Sequence, residues 1–356
     1  MKFNQTNYLR WYMPRVQSGD GAVNLHSSGV PAVSHEEFEP AQGDPWTMVP
    51  RFEAGLGEWL DVPPEEICFT PGATGGTLLA LMTLAGPGDE LLVEAPIYEP
   101  MLRQARRLNS VRRFTRRMES GWRLPLDEIK DKISSKTRVV MVTEPSNPSG
   151  VFCDRKEMLE LAEIAAGHDA LLLVNEVYRK FSDAPSYHRE AENIVVVSST
   201  SKLLGTYGLR LGWLSGPAET TARLRAAHMN MSMPTQAAAA YGIDVLARAE
   251  DLRQRVIETV AVGVDVVDSW VQVTDGIEWI RPMGPGFGCV KIPESAGDDV
   301  RFAEKLHKER GVLVIPGSFF EVPGSIRLSW LQVDDRLEQG LDLIAGMLKD
   351  SDVYTE

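Results

Sequence analysis

Six short apolar runs lie in the middle of this chain of 356 residues, and helical patterns separate them. Several of the runs are rich in Val, Ile and Leu without polar alternation, which is typical of strands buried on both faces of a parallel sheet. Helical periodicity at 77–84 and 155–166 completes a β-α-β rhythm. We therefore predict an α/β fold with a three-layer, doubly wound and mostly parallel sheet. The predicted strands are 66–70, 90–94, 138–143, 171–174, 194–198 and 211–214.

The last part of the chain has a different pattern, in which one long helical stretch precedes short strands and helices. It predicts an α+β unit of roughly 100 residues, an ordinary size for a small domain. We expect a large domain at 45–245, a smaller α+β domain at 246–356, and an N-terminal segment, 1–44, that packs with the smaller domain. The elements predicted in the smaller domain are helices at 252–271, 300–310 and 337–348 and strands at 276–279, 287–292, 312–315 and 325–330.

The charge and hydropathy of the chain argue against two kinds of partner. The formal net charge is −13, and an acidic surface repels phosphate backbones, so we expect no nucleic-acid partner. Two basic clusters, 103–107 and 112–117, are interpreted as a solvated connection between a helix and a strand. No stretch approaches the ~18 apolar residues of a membrane span, and the N-terminus does not resemble a signal peptide. We therefore expect no membrane partner.

The three cysteines are sparse and odd in number: Cys68, Cys153 and Cys289. Such a set is no disulfide framework and is typical of reduced cytosolic thiols. The sequence has no Cys-x-x-Cys pair and no His-x-x-x-His spacing, so we expect no metal site. We predict a cytoplasmic protein.

Nearly every predicted strand of the large domain ends in a polar or glycine-rich cluster. Ligands of doubly wound sheets bind beyond the carboxyl ends of the strands. If the strands are parallel, these clusters meet along one edge of the sheet. The clusters are 71–76, 95–98, 144–150, 175–178 and 199–202.

The glycine cluster that includes Gly72, Ala73 and Thr74 lies between a strand and a helix. Small residues there let backbone N–H groups approach an anion, and the helix dipole favours negative charge. A phosphate site and an ordinary tight turn are both consistent with this pattern. A dinucleotide site is a further alternative, because Glu94 ends the next strand, although the Gly-x-Gly-x-x-Gly fingerprint is not present.

Lys202 follows Ser199-Thr200-Ser201 at the end of a predicted strand and precedes Arg210. A partly desolvated lysine near other cations has a lowered pKa and can form a Schiff base. The serines and Arg210 can donate to a phosphate. Because small, apolar and hydroxyl side chains surround Lys202 in the sequence, a solvated surface lysine is the weaker interpretation.

The segment 198–213, Ser-Ser-Thr-Ser-Lys-Leu-Leu-Gly-Thr-Tyr-Gly-Leu-Arg-Leu-Gly-Trp, resembles the lysine motif of class I and II aminotransferases. These are fold-type-I enzymes that use pyridoxal 5'-phosphate. The resemblance covers most of the chain and includes Asn147 in Ser-Asn-Pro-Ser-Gly and Arg327 in Ser-Ile-Arg-Leu-Ser-Trp. It implies that Lys202 is the catalytic residue and forms the Schiff base.

The resemblance also implies roles for other residues at the cofactor and the substrate. Tyr98 stacks on the pyridine ring, Asn147 and Tyr178 bind the 3-oxygen, and Arg327 binds the substrate α-carboxylate. The implied cofactor-binding residues are Gly72, Ala73, Thr74, Tyr98, Asn147, Asn175, Tyr178, Ser199, Ser201 and Arg210. The implied substrate-binding residues are Gly29, Asn147 and Arg327.

Asn175 departs from the family pattern, which has an aspartate at this position. The aspartate pairs with the protonated pyridine nitrogen, and its charge keeps the cofactor a strong electron sink. A neutral amide cannot supply that charge. Glu176 is adjacent in sequence, but neighbouring side chains of a strand face opposite ways, so we expect no substitution by Glu176.

Several functions remain open on the sequence. The first hypothesis is an aminotransferase that acts on an α-amino acid, with a keto acid as second substrate. The second is a lyase or cyclase of the same fold, by elimination, replacement or capreomycidine-synthase-like cyclisation, which Asn175 favours. A non-catalytic protein that binds the cofactor is a third, and a dinucleotide oxidoreductase would leave the lysine motif unexplained. The resemblance also implies a homodimer with active sites near the interface.

Overall fold

The structure is a computed structural model that describes residues 4–18, 21–231, 234–332 and 336–352. The strands of the described residues form one seven-stranded, one four-stranded and one two-stranded sheet. Numbered along the chain, the strands are β1 Val23–Asn24, β2 Ile67–Pro71, β3 Glu90–Ala95, β4 Ser110–Thr115, β5 Thr137–Thr143, β6 Leu171–Asn175, β7 Ile194–Ser199, β8 Leu211–Ser215, β9 Glu278–Trp279, β10 Phe287–Lys291, β11 Val312–Leu313, β12 Ile315–Pro316 and β13 Ser325–Ser329.

Helices connect most of these strands, and short 3-10 turns occur in several of the loops. The α-helices of the described ranges are α1 Asn7–Ser18, α2 Met48–Leu60, α3 Gly72–Leu84, α4 Glu99–Leu108, α5 Leu126–Lys132, α6 Arg155–Ala166, α7 Ser201–Leu204, α8 Ala218–Met231, α9 Gln236–Ala247, α10 Ala249–Val273, α11 Asp299–Arg310 and α12 Leu337–Asp352.

The large sheet has the strand order β2-β8-β7-β6-β5-β3-β4. The five strands from β7 to β4 in this order are parallel, whereas β8 is antiparallel to both of its neighbours. The predicted, mostly parallel sheet is therefore confirmed. Since β2 is antiparallel to β8, it points the same way as β7. The carboxyl ends of β2, β3, β5, β6 and β7 thus meet at one edge, where β8 begins.

Strand β4 corrects the interpretation of the basic cluster at 112–117 as a solvated connection. Arg112 and Arg113 lie in β4, which pairs with β3 at the edge of the sheet. Arg116 follows the strand and is only 1% exposed. The run of arginines therefore contains an edge strand and one fully buried cation.

Helices cover both faces of the large sheet, which confirms the three-layer α/β architecture. Met141 of β5 packs with α3, α4 and α8 on one face. Val140 and Val142 of the same strand pack with α5 and α6 on the other face. Burial on both faces explains why the sequence of β5 shows no polar alternation.

The remaining strands and the N-terminal residues share a second hydrophobic core. The order β12-β13-β10-β9 forms an antiparallel sheet, and β1 pairs in parallel with β11. Tyr8, Trp11 and Leu25 pack in one cluster with side chains of α11 and α12. Within the described ranges, no helix combines the length and apolar character needed to cross a membrane.

Candidate active site

A cavity opens at the edge where the carboxyl ends of the parallel strands meet. Its wall includes residues of the large sheet together with α1 and β13. The sequence-predicted residues that line it are Ala73, Thr74, Tyr98, Asn147, Asn175, Tyr178, Ser199, Ser201, Lys202, Arg210 and Arg327. Gly29 and Gly72 stand just behind this wall, each against one of its cations.

Lys202 lies in the short helix α7, which begins two residues after β7 ends. Burial lowers the pKa of its amine to about 8, and the charges of Arg327 and Arg210 act in the same direction. The Nζ atom lies 5.5 Å from the ring centroid of Tyr207. An amine with a lowered pKa is more often neutral near pH 8 and is therefore a better nucleophile.

Position 29 must be a glycine because the backbone there closely approaches helix α7, which carries Lys202. A Cβ atom at this position would lie 2.9 Å from Lys202 Cα and 2.3 Å from Tyr207 Oη. The next residue, Val30, donates its N–H to the carbonyl oxygen of Lys202 at 2.9 Å. The structure thus places Gly29 behind Lys202, where any side chain would displace the lysine.

Arg210 stands next to the glycine turn at the start of α3. A Cβ on Gly72, whose φ is +75°, would lie 2.5 Å from Arg210 Nη2. Ala73 and Thr74 belong to the first turn of α3 and line the same part of the cavity. Ser201 Oγ is buried there without a hydrogen-bond partner among the described residues. N–H groups of a helix start, hydroxyl groups and a guanidinium are donors suited to an anion such as a phosphate.

Arg327 of β13 is only 2% exposed. Its Nη1 donates to Asn147 Oδ1 at 3.0 Å and its Nη2 to the carbonyl oxygen of His26 at 2.7 Å. Its Nε has no partner, and the described residues place no carboxylate within 4.0 Å of the guanidinium. An unpaired buried cation is costly, so Arg327 is suited to an anionic ligand.

Tyr178 lies deep in the same wall. Its hydroxyl donates to Ser28 Oγ at 3.0 Å, and its ring meets that of Phe287 edge-on at 4.8 Å. Tyr98, which precedes α4, meets Tyr8 edge-on at 5.3 Å. These contacts fix both phenols at the cavity wall.

Asn175 ends β6 and lines the cavity. Its Oδ1 accepts the N–H of Val177 at 3.1 Å, which assigns the amide orientation and leaves the NH₂ group directed toward Met101 Sδ at 3.3 Å. Glu176 faces away, accepting from Ser186 Oγ and Tyr187 N, each at 2.7 Å. The cavity side of β6 therefore presents a neutral N–H donor and no carboxylate.

A buried ionic network lies behind this edge of the sheet. The Arg116 guanidinium is 3.5 Å from Glu94 and 3.7 Å from Glu144, and Arg179 is 3.8 Å from Glu144. Glu94 Oε1 also accepts the backbone N–H of Thr143, which lines the cavity, at 2.5 Å. Burial raises the pKa of Glu94 to about 7, although Arg116 and Thr143 oppose the shift.

Several residues that line the cavity were not predicted from the sequence. Tyr8 and Tyr12 are four positions apart on α1, so they share one helix face. That spacing was a usable signal, but their contact with the cavity depends on how α1 packs. The missed residues are Tyr8, Tyr12, Ser28, Thr77, Met101, Thr143, Val177 and Tyr207.

Comparison with solved structures supports the same fold. A PLP-dependent aminotransferase from Streptococcus suis superposes with a TM-score of 0.87, at 25% identity, covering 98% of this chain and 99% of that chain. The aspartate aminotransferase of Thermus thermophilus with maleate gives a TM-score of 0.82 at 23% identity, covering 97% of each chain.

Comparison of sequences identifies the family. A probable aspartate/prephenate aminotransferase of Aquifex aeolicus is 25% identical over 337 residues, which span 88% of this chain and 84% of the relative. An aspartate aminotransferase of Thermotoga maritima is 26% identical over 298 residues, 81% and 77% of the two chains. The family described as aminotransferase class I and II matches residues 41–343. The chain therefore belongs to the class I and II aminotransferase family and is a pyridoxal-phosphate-dependent enzyme.

Proposed function

We propose that the enzyme transfers an amino group between an α-amino acid and a keto acid, with Lys202 holding the cofactor and Arg327 binding the substrate α-carboxylate. One observation carries the proposal: an amine of lowered pKa and a buried guanidinium without a carboxylate partner face one cavity. The amine is suited to forming a covalent bond with a carbonyl carbon, and the guanidinium is suited to binding a carboxylate.

The donor set of the cavity fits pyridoxal phosphate. The first turn of α3, Ser199, Ser201 and Arg210 would hold the phosphate, and the unpartnered Ser201 hydroxyl has a donor to spare. Asn147 and Tyr178 would donate to the 3-oxygen, and the Asn175 NH₂ group would face the ring nitrogen. Tyr98 would pack on the ring.

Three residues of this chain carry the reaction in our proposal. Arg327 and Asn147 hold the carboxylate, which fixes the Cα–H bond relative to Lys202. Lys202 Nζ would accept the Cα proton and pass it to the cofactor within the same half of the transfer, and the half that begins with the keto acid would run these proton movements in reverse. The cofactor, when bound, supplies the electron sink that makes this proton acidic.

Transamination is distinguished from elimination and cyclisation by its requirement for a keto acid. Purified holoenzyme is incubated with single amino acids, with and without 2-oxoglutarate. We expect formation of a new keto acid and glutamate only when 2-oxoglutarate is present. Release of ammonia, or a cyclised product, without 2-oxoglutarate would support the lyase or cyclase hypothesis, for which the named relatives offer no support.

We also propose a homodimer whose interface covers the phosphate side of the cavity. Thr74 and Arg210 are exposed there in the single chain. On α3, Leu78 and Met82 are exposed by 37% and 47% at a spacing of one turn. Met229 of α8, the helix that packs against α3, is exposed by 54%. Exposed apolar side chains in one region are typical of an interaction surface.

The homodimer is tested by sedimentation at micromolar concentration. For the parent enzyme we expect the mass of two chains. The Met82→Glu variant should shift toward the monomer and lose cofactor. The matched control is Met283→Glu, because Met283 is 63% exposed and lies in the loop between β9 and β10. A fully active monomer would refute the proposal.

We retain two further proposals from the sequence. The division into 1–44, 45–245 and 246–356 is supported by the separate hydrophobic cores of the large sheet and of the C-terminal strands. A cytoplasmic location is supported by three free, buried thiols. Limited proteolysis tests the domain boundaries, and cell fractionation tests the location.

A further inference from the structure

Aromatic rings lie beside Arg327 in the cavity, because its guanidinium carbon is 4.9 Å from the ring centroid of Phe320 and 5.4 Å from that of Phe287. The rings of Tyr8 and Tyr12 stack with centroids 5.1 Å apart. Tyr8 also meets the ring of Phe320 edge-on at 5.9 Å, and Tyr8, Tyr12 and Tyr207 all line the cavity with Arg327. The wall beside the proposed carboxylate site is therefore aromatic.

Helix α1, which carries Tyr8 and Tyr12, is held at its start and near its middle. At its start, the Glu99 carboxylate of α4 accepts the N–H groups of Asn7 at 3.2 Å and Tyr8 at 2.9 Å. Further along, Glu304 of α11 accepts Trp11 Nε1 at 3.1 Å. A carboxylate at a helix start satisfies otherwise unpaired N–H groups and complements the helix dipole. The two tyrosines are thus presented to the cavity by a fixed helix.

Tyr207, which follows helix α7, is held in place by contacts that do not involve α1. Its hydroxyl donates to the carbonyl oxygen of Val30 at 3.0 Å. Its ring lies 5.5 Å from Lys202 Nζ. A side chain that extends from a substrate bound between Lys202 and Arg327 therefore meets rings held in place by the protein.

The charges of the cavity restrict the substrate side chain. Among the described residues that line the cavity, three are cations, Lys202, Arg210 and Arg327, and none is a carboxylate. Each of the three has a role in the proposed function, so the described residues of this chain offer no further lining cation for a second carboxylate on the substrate. A cationic side chain would face three like charges with no acid to compensate. Both kinds of charge would be desolvated without a partner, which is costly.

We propose that the substrate carries a neutral aromatic side chain, which packs against Tyr8, Tyr12 and Tyr207 while Arg327 binds its α-carboxylate. Aromatic rings are favoured over branched aliphatic groups because edge-on and offset contacts between rings add to simple burial. This inference rests on the proposed function and names the substrate class of the same site.

The inference is tested by binding to the holoenzyme rather than by turnover. α-Methylphenylalanine and α-methylaspartate lack the Cα hydrogen, so they bind without completing the reaction, and isothermal titration calorimetry measures both dissociation constants. We expect α-methylphenylalanine to bind at least about tenfold more tightly, the effect of one good aromatic contact together with exclusion of an unpaired charge. Equal or tighter binding of α-methylaspartate would overturn the inference.

A variant pair assigns the effect to the aromatic wall. Tyr12→Leu keeps an apolar side chain and removes the ring, and we expect α-methylphenylalanine to bind roughly three- to tenfold more weakly. Binding of 2-aminoisobutyrate, which has only methyl groups, should change much less. The matched control is Val16→Ala on the exposed face of α1, which should alter neither ligand. Equal weakening of both ligands by Tyr12→Leu would contradict a specificity role.

The two proposals fail in different ways. Preferential binding of α-methylphenylalanine without keto-acid formation from phenylalanine would refute transamination and support the aromatic side-chain class. Transamination of aspartate with a higher kcat/KM than phenylalanine, together with tighter α-methylaspartate binding, would refute the side-chain class and leave the proposed reaction in place.

Discussion

Asn175 and Glu176 are adjacent residues whose side chains leave the end of β6 in different directions. Asn175 lines the cavity with its NH₂ group near Met101, whereas Glu176 accepts the N–H of Tyr187 at 2.7 Å outside the cavity wall. The carboxylate is therefore fixed by the protein and does not replace the amide. The cofactor ring would meet a dipole at this point and no charge.

Replacing Asn175 with aspartate should protonate the ring nitrogen of the bound cofactor. A carboxylate within hydrogen-bond distance raises the pKa of such a nitrogen by roughly 1–3 units, whereas the Asn175 NH₂ group favours the unprotonated form. Nitrogen-15 NMR of labelled cofactor measures the state directly. We expect an unprotonated signal in the parent enzyme and a protonated one in Asn175→Asp. The control Glu176→Gln should leave the signal unchanged, and identical signals in parent and Asn175→Asp would refute the prediction.

The Arg327→Lys variant should bind the amino acid more weakly and retain the cofactor. Lysine keeps the charge but cannot make the two parallel contacts of a guanidinium, which should cost about 1–3 kcal/mol of binding free energy. Titration calorimetry gives the affinity, and absorbance gives the cofactor content. Arg281→Lys, an exposed arginine paired with Asp265 and Asp268, is the control. Loss of cofactor with unchanged amino-acid affinity would show that the role is misassigned.

Glu94 should make stability depend on pH near neutrality. Its pKa is raised from the ordinary 4.5 to about 7 in the folded protein, so the folded state binds more protons than the unfolded state between these values. Stability contributed by this group therefore falls as pH rises from about 4.5 to about 7 and is constant above.

The Glu94→Gln variant removes this titration and keeps an acceptor for the Thr143 N–H group. Relative to the parent enzyme, its free energy of unfolding should improve by roughly 1–3 kcal/mol between pH 5 and pH 8. Urea unfolding at the two pH values measures the difference. The exposed Glu58→Gln substitution should show no such change. A difference between Glu94→Gln and parent that does not vary with pH would contradict the shifted carboxyl.

Lys202 should make cofactor uptake by the apoenzyme depend on pH. Its amine has a pKa of about 8, and only the neutral form attacks the cofactor aldehyde. The rate of uptake, followed by absorbance, should rise with pH to about 8 and then level off. A rate that continues to rise toward pH 10, the ordinary range of a lysine, would show that the pKa is not lowered.

The sequence was sufficient to predict the large sheet because its interior strands are buried on both faces. Val139 to Val142 alternate between two helix layers, so every position is apolar. The edge strand β4 was missed because Arg112 and Arg113, whose side chains find polar partners at the edge of the sheet, break the apolar pattern. This segment is a strand because it pairs with β3, and its local sequence does not favour that structure.

The residues at the strand ends could also be predicted, because parallel strands bring their carboxyl ends to one edge. Asn147, Asn175 and Lys202 meet at the cavity for this reason. Tyr8 and Tyr12 could not be placed in this way. Their position depends on Glu99 and Glu304, which bind α1 at Asn7 and Trp11. The two glutamates lie 92 and 293 positions further along the chain than these partners. Contacts over such separations leave no local signal.

The central claim, that Lys202 holds the cofactor, is tested most directly by trapping the covalent bond. Holoenzyme is reduced with borohydride and digested, and mass spectrometry locates the pyridoxyl group. We predict the label on Lys202 and its loss, together with all turnover, in Lys202→Ala. A reducible bond that persists in Lys202→Ala, or a pyridoxyl group on another lysine of the parent enzyme, would contradict the account.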